Sequence, residues 1–195
     1  MRIFLAILIL IFSFQSWTKA DDLSDFEIEG MSIGDSLLNN FSEKEIKEAI
    51  SYSASSYKSN KFKRATFVTQ NFKIYDAMFF HLKQDDNNYK IFAIGSALNF
   101  PNDIKNCNIK RTEIVNDLKS LFIDYEINDY KRKHDQDETG ESIFFSTDFS
   151  FLNGQSARVM CYDWSKNFED KNFVDHLRIS LYSKKFREWL YTEAW

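Results

Sequence analysis

The sequence predicts a single α+β domain, in which antiparallel strands are accompanied by helices at the N-terminus, in the middle and at the C-terminus. Two consecutive helix-capping motifs stand near the start of the chain, and β-branched and aromatic runs separated by short turns follow them. The strand–helix–strand alternation that is typical of a parallel sheet does not occur. The predicted order of elements is ααβββαβββα.

The N-terminal helix pair is predicted from two capping boxes. Ser32 lies three residues before Asp35, and the same spacing recurs at Ser42 and Glu45. Apolar residues at helical spacing extend the first helix to about Phe41 and the second to about residue 56.

Three strands and a central helix are predicted next. The strands cover residues 64–70, 75–83 and 89–98, where β-branched and aromatic residues are frequent, and Pro101 ends the third. The central helix presents one apolar face, made of Ile114, Val115, Leu118, Leu121 and Phe122.

The C-terminal half is predicted to begin with an exposed loop over the charged residues 126–142. A hairpin with strands 141–152 and 155–165 follows, joined by Asn153-Gly154. A two-residue turn pairs Phe151 with Ser156 and places Phe149, Met160, Tyr162 and Trp164 on the core face, with Cys161 on the other. A strand over residues 176–183 and a helix capped by Ser183 end the chain.

Residues 1–20 have the pattern of a secretory signal peptide. Arg2 precedes an apolar run over residues 3–14, and a polar stretch leads to Ala20. A membrane span needs about 20 apolar residues, so this run of 12 is too short for an anchor. We therefore expect a mature domain of residues 21–195, periplasmic or secreted, without a membrane span.

The charge of the mature chain argues against nucleic acid as a partner. Without Arg2 and Lys19 the chain keeps 23 basic and 29 acidic side chains, a net charge of −6. A protein that binds a phosphate backbone needs a large positive face. The one basic cluster, at residues 58–64, is short and is expected to be a solvated loop before a strand.

Cys107 and Cys161 are the only cysteines, and an oxidising compartment favours a disulfide between them. Two buried free thiols are the alternative. The cysteines lie 54 positions apart, and closing a loop of that length would stabilise the fold by about 4 kcal/mol in the chain-entropy model.

Known catalytic and metal-binding patterns are not recognised. There is no Gly-x-Ser-x-Gly nucleophile motif, and His81, His134 and His176 lack metal-ligand spacing. Residues 135–140 resemble the first half of a calcium loop, but position twelve is Ser146 instead of Glu. No catalytic, cofactor-binding or metal site is predicted, and whether the loop 126–142 binds a cation stays open.

Aromatic side chains near the C-terminus could stack on a sugar ring. Trp164 and Tyr162 are predicted on the core face of the hairpin, which favours packing over ligand binding. Trp189 lies in the predicted terminal helix, together with Phe186 and Leu190.

Two resemblances support export. The segment from Glu29 to Leu37, followed by a helix and three strands, resembles the helix–helix–sheet module of outer-membrane assembly lipoproteins and β-lactamase inhibitor proteins. The whole mature chain resembles a group of uncharacterised small exported proteins of marine bacteria. The features of that resemblance are the opening at residues 26–37, Cys161-Tyr162-Asp163-Trp164-Ser165 and His176-Leu177-Arg178.

The expected function follows from these absences. A stable exported domain with no recognised nucleophile, metal site or phosphate loop favours a non-enzymatic binding or interaction module, with a protein or small-molecule partner in the envelope. The alternative is a secreted or periplasmic hydrolase whose acidic residues come from distant positions. Two carboxyls with shifted pKa values in one pocket would favour the hydrolase, and a flat apolar patch would favour the module.

Overall fold

The computed structural model describes residues 22–53, 57–68 and 71–195. The predicted signal peptide, residues 1–20, lies outside the described residues. The fold is α+β, as predicted, and is built on one seven-stranded antiparallel sheet in the order β1-β2-β3-β7-β6-β5-β4. The strands are β1 Phe62–Val68, β2 Ala77–Lys83, β3 Ile91–Asn99, β4 Tyr125–Lys133, β5 Ile143–Phe151, β6 Ser156–Asp163 and β7 His176–Tyr182.

The topology consists of two three-stranded meanders that are joined by the last strand. Helix α1 (Glu43–Tyr52) precedes the meander β1–β2–β3, and helix α2 (Ile104–Leu121) precedes the meander β4–β5–β6. Strand β7 lies between β3 and β6 and pairs antiparallel with both. The two halves of the sheet are therefore continuous only through β7.

One face of the sheet, called the covered face below, is packed against α1 and α2. Helix α1 contacts β1, and α2 contacts β6 and β7. The alternation of side chains sends every second strand residue to this side, where Phe80, Ile94, Val159, Ile179 and Leu181 are buried. This is the main hydrophobic core.

The prediction of a first helix that begins at Ser32 is wrong, because the backbone of this segment forms hydrogen bonds with β3 and the residues just before it. The amides of Gly34 and Leu37 donate to the carbonyls of Ile91 and Tyr89 at 2.9 and 3.1 Å. The Ser32 hydroxyl donates to the carbonyl of Phe26 and does not cap a helix. Only a short 3-10 helix, Leu37–Asn39, forms here.

The second capping box is confirmed. Ser42 is the N-cap of α1, its side chain accepts the amide of Glu45, and the Glu45 carboxylate accepts the amide of Ser42. The central helix is also confirmed, although it begins at Ile104, ten residues before the first apolar position that predicted it, with Asp103 as its N-cap. A short helix, α3 (Lys166–Glu169), follows β6, and Ser183 caps the terminal helix α4 (Lys184–Thr192).

The predicted loop over residues 126–142 is wrong in its first half, which forms strand β4. Strand β4 pairs only with β5, at the edge of the sheet, and most of its side chains are exposed. An edge strand of this kind carries charged residues that discourage pairing with another chain. Its sequence consequently lacks the apolar alternation from which strands are recognised.

The hairpin register is shifted by one residue from the predicted register. The amide of Phe151 bonds to the carbonyl of Gln155, so the turn has three residues and ends at Gly154 with a φ of 87°. Phe149 therefore pairs with Ala157 and Phe145 with Cys161. A shift by one residue exchanges the faces of a strand. Cys161 is consequently in the core, and Met160 and Tyr162 lie on the opposite side.

The predicted disulfide between Cys107 and Cys161 is present. The two Cα atoms are 6.0 Å apart, and both residues are fully buried. The bridge connects the first turns of α2 to the middle of the covered face. It therefore holds the helix against the second meander.

Helix α4 and the residues after it cover one end of the other face. A second cluster, called the C-terminal cluster below, forms there. Its buried residues are Phe62, Ala93, Phe186, Trp189 and Ala194. The rest of that face carries no comparable helix within the described part of the chain, and we call it the open face. Its central residues are Ala77, Phe79, Gly95, Ala97, Tyr130, Phe144, Ser146, Asp148, Arg158, Met160, Tyr162, Arg178 and Ser180.

Candidate functional site

The open face combines small residues at its centre with arginine and aromatic residues around them. Gly95 and Ser180 are opposite each other on β3 and β7, and both are buried. A Cβ on Gly95 would lie 3.2 Å from the Ser180 hydroxyl and 3.6 Å from the Phe79 ring. Of these two contacts only the one with Ser180 would be tight, so glycine leaves the Ser180 hydroxyl its place at the centre of the sheet.

Arg178 and Phe79 form a stacked pair beside this centre. The Arg178 guanidinium lies over the Phe79 ring, 4.8 Å from its centroid, which is a cation–π arrangement. Among the described residues Arg178 forms no ion pair, and its Nε is buried without a hydrogen-bond partner. The charge is therefore held against an aromatic surface and no carboxylate neutralises it.

His81 lies next to this pair, under the edge of the C-terminal cluster. It is only 5% exposed, and its ring centroid is 4.4 Å from that of Phe186. Burial, together with the positive charges of Arg178 and Arg64, lowers the pKa of His81 to about 3. The imidazole is thus neutral at physiological pH, with an Nδ1 that has no partner among the described residues.

Arg64 brings a second guanidinium to the same side of the sheet. It is opposite His81 in the β1–β2 register. Burial and the charge of Arg178 lower the pKa of Arg64. Burial raises the pKa of Tyr57, whereas the charges of Arg64 and Arg178 lower it. The Arg178 guanidinium is therefore close enough for its charge to act on Arg64.

Arg158, one strand further, is neutralised within the protein. Its Nε and Nη2 donate to the two carboxylate oxygens of Asp148, which pairs with it across β5 and β6. Burial alone would lower the pKa of Arg158, but these bonds raise it well above its usual range. Tyr130 and Ser146 also donate to Asp148. This part of the open face is a closed polar network.

Stacked rings form the far end of the open face. Tyr162 lies between Trp164 and His176, with centroid distances of 5.5 and 4.6 Å. His134 contacts Trp164 at 4.7 Å. Burial lowers the pKa of His176 to about 4, although its bond to the carbonyl of Val174 acts in the other direction.

The predicted core position of Trp164 and Tyr162 is thus only partly correct. Trp164 is buried against Phe168, whereas Tyr162 is half-buried on the open face. Trp189 is in the C-terminal cluster, where its Nε1 donates to Ser59 at 3.0 Å. These three rings do not form one platform.

The polar residues of the possible calcium loop are used for local structure. The Asp137 carboxylate accepts hydrogen bonds from the hydroxyls of Thr139 and Ser142 and from the Ser142 amide. These bonds lower the pKa of Asp137. No group of three potential metal ligands occurs in the part of the chain that the structure describes.

Two carboxyls with raised pKa values lie near the end of β6. Burial raises the pKa of both Asp163 and Asp175, and the charge of Glu169 adds to each effect. Asp175 is 5% exposed and accepts the Trp164 amide at 2.8 Å. Neither residue lines one of the described clefts. Asp175 therefore supports the backbone at Trp164.

A cleft of about 680 Å³ lies elsewhere, between α1 and the end of β1. The Glu29 carboxylate at its rim accepts the amides of Lys73, Ile74 and Tyr75 and is therefore occupied. Residues 69–70, the last two positions of the predicted first strand, lie outside the described residues. Residues 54–56, at the predicted end of the second helix, lie outside them as well.

The comparisons give no relative from which a site could be transferred. No family model, curated protein or solved structure matches the chain. No helix among the described residues has the length and apolar character that crossing a membrane requires. The open face was not predicted from the sequence, because the hairpin register had placed Met160 and Tyr162 in the core.

Proposed function

We propose that this protein is a non-enzymatic binding module of the periplasm or the extracellular space, and that it binds a protein partner on the open face. One observation carries the proposal. A seven-stranded sheet is covered by two helices on one side, while arginine, tyrosine and phenylalanine side chains are half-buried on the other. Arginine and aromatic residues are enriched at the centres of protein interfaces, where lysine and glutamate are depleted.

Further features support this assignment over the hydrolase. The open face has no described cleft, so a protein surface fits it better than an enclosed small substrate does. The carboxyls with raised pKa values are at the end of β6 and do not face a cleft. The buried Cys107–Cys161 disulfide and the signal-peptide pattern are what an exported protein would have.

Site-specific photocrosslinking in the cells that make the protein tests the proposal. A benzophenone amino acid replaces Ala77 or Phe144 on the open face, or, as matched controls, the exposed Tyr52 on α1 or Leu152 at the hairpin tip. We expect one protein adduct from the two open-face positions and none from the controls. The adduct partner, once purified, should bind the wild-type protein and bind Phe79→Ala at least about tenfold more weakly.

Three results would contradict the proposal. Adducts from the control positions alone would place the partner elsewhere. An absence of adducts from Ala77 and Phe144 would remove the open face as the binding surface. Hydrolysis of envelope material that is lost in Asp163→Asn or Asp175→Asn would favour the enzyme instead.

A further inference from the structure

Arg178 occupies an unusual electrostatic position for an arginine in the middle of a sheet. Its neighbours on the same face are Ala97 on β3 and Met160 on β6, opposite it in register, and Ser180 and His176 on its own strand. None of these is acidic. The positive charge of Arg64 acts on His81 together with that of Arg178, and the Arg178 charge also lowers the pKa of Arg64.

Two other half-buried arginines, one on the sheet and one on α2, are compensated inside the molecule. Arg158 is bound by the Asp148 carboxylate, and Arg111 by Asp129 at 3.1 Å. A half-buried charge without such a partner is destabilising. Within the described residues Arg178 is the arginine of the open face that bears this cost and gains only a ring contact.

The surroundings of Arg178 hold it in one orientation. One surface of the guanidinium is against Phe79, and Nε is directed into the protein without an acceptor. His81, close enough for the Arg178 charge to lower its pKa, is neutral and does not compete for an anion as a third cation would. A guanidinium held in this way loses little further conformational freedom when it binds a ligand. This favours recognition of a planar oxyanion.

We propose that Arg178, supported by Phe79 and accompanied by Arg64, is a carboxylate-binding subsite of the open face. This inference rests on the proposed function, because the carboxylate is that of an aspartate or glutamate side chain of the protein partner. Acidic side chains are the anions that a protein surface offers, and one of them would neutralise the charge that the fold leaves uncompensated. The Phe79 ring provides an apolar contact for the methylene groups of that side chain.

Nuclear magnetic resonance with defined probes tests the subsite without a known partner. The probes are N-acetyl-aspartic acid amide, the matching N-acetyl-asparagine amide and inorganic phosphate, all at constant ionic strength. We expect the aspartate probe to shift the Arg178 Nε–H and the amides of Gly95 and Ser180 saturably. The asparagine probe has the same shape without the charge and should leave them unchanged.

Variants separate the subsite from general attraction to positive charge. Arg178→Gln should weaken binding of the aspartate probe by at least about tenfold, because the charge-assisted bonds are lost. Arg178→Lys keeps the charge but not the planar fork, and its binding of the aspartate probe should be weakened as well. This variant replaces Arg178→Gln in the experiment if the glutamine variant does not fold. Arg132→Gln removes an exposed cation that lies over the Tyr130 ring at the edge of the same side and should bind like wild type.

Several outcomes would overturn the inference. These are shifts that persist in Arg178→Gln, equal shifts with the asparagine probe, or no saturable shift at all. Tighter binding of phosphate than of the aspartate probe would refute the carboxylate assignment and favour a phosphorylated ligand. The two proposals fail separately: crosslinks at the open face without probe binding refute only the subsite, and probe binding without open-face crosslinks refutes only the partner surface.

Discussion

The two faces of the sheet differ in how their side chains are satisfied. On the covered face, apolar residues from alternate strand positions pack against α1 and α2, and a disulfide fixes α2 in place. On the open face, the same strands present arginines, rings and small polar residues, some in closed networks and one, Arg178, without an acidic partner among the described residues. The covered face therefore supplies most of the apolar packing, whereas the open face includes a charge that no acidic residue of the described chain compensates.

Adjacent phenylalanines on β2 provide the sharpest test of this difference. Phe80 is fully buried on the covered face, whereas Phe79 is half-buried on the open face. Phe80→Ala should lower the free energy of unfolding by about 3–5 kcal/mol, because it leaves a cavity in the core. Phe79→Ala should lower it by about 1 kcal/mol. Urea unfolding measures both, and equal losses would show that the open face is also part of the core.

Removing the disulfide should have the next largest effect. The double variant Cys107→Ser/Cys161→Ser should lose up to about 4 kcal/mol, because the unfolded chain is no longer constrained across 54 positions. Reduced wild-type protein is the matched control and should unfold at the same urea concentration as the variant. A variant as stable as the oxidised protein would show that packing alone holds α2 on the covered face.

His81 should make the stability of the fold sensitive to acid. Its pKa is lowered from 6.5 to about 3 in the folded protein, so below pH 6.5 the unfolded chain takes up a proton that the folded chain does not. The free energy of unfolding should therefore fall as the pH decreases from 6.5 towards 3. At pH 4.5 the loss from this group should be about 2–3 kcal/mol.

The matched variant for this effect is His81→Phe, compared with wild type by urea unfolding at pH 7 and at pH 4.5. The variant should lose less stability between the two pH values, because phenylalanine does not titrate. Other groups titrate equally in both proteins, so the difference isolates His81. An identical pH dependence would indicate that the imidazole is protonated in the fold.

Substitutions of Arg158 and Arg178 on the open face should give the smallest effects, in different directions. Arg158→Gln leaves the half-buried Asp148 carboxylate without its cation and should cost about 2 kcal/mol. Arg178→Gln removes an uncompensated charge and should change stability by less than about 0.5 kcal/mol or increase it. Thermal or urea unfolding of the two variants side by side checks this, and a large loss for Arg178→Gln would mean that Arg178 stabilises the fold itself.

The sequence was sufficient for those elements whose information is local. The capping box at Ser42 and Glu45 predicts α1, and the apolar spacing through Val115 and Leu118 predicts α2. The Cys107–Cys161 bridge could be predicted because there is only one possible pair. In each case the residues that determine the element are close in sequence or have no competitor.

The features that could not be predicted depend on distant partners. The segment around Gly34 has a helical capping pattern but bonds to β3, which is more than fifty residues away. Strand β4 has a charged sequence and is ordered by its pairing with β5. The open face depends on a turn of three residues instead of two, and that single residue moves Met160, Tyr162 and Arg158 from one side of the sheet to the other.

The position of β7 has a consequence for how the chain folds in time. The strand is made last, yet it joins β3 and β6, so both meanders present an unpaired inner edge until almost the whole chain has emerged. Pairing β3 with β7 closes a segment of about eighty residues, which is slow compared with forming either meander. During that interval the exposed edges of β3 and β6 can pair with other chains. Prompt delivery of residues 176–182 as the chain emerges, or a chaperone that covers these edges, should therefore set the yield of folded protein.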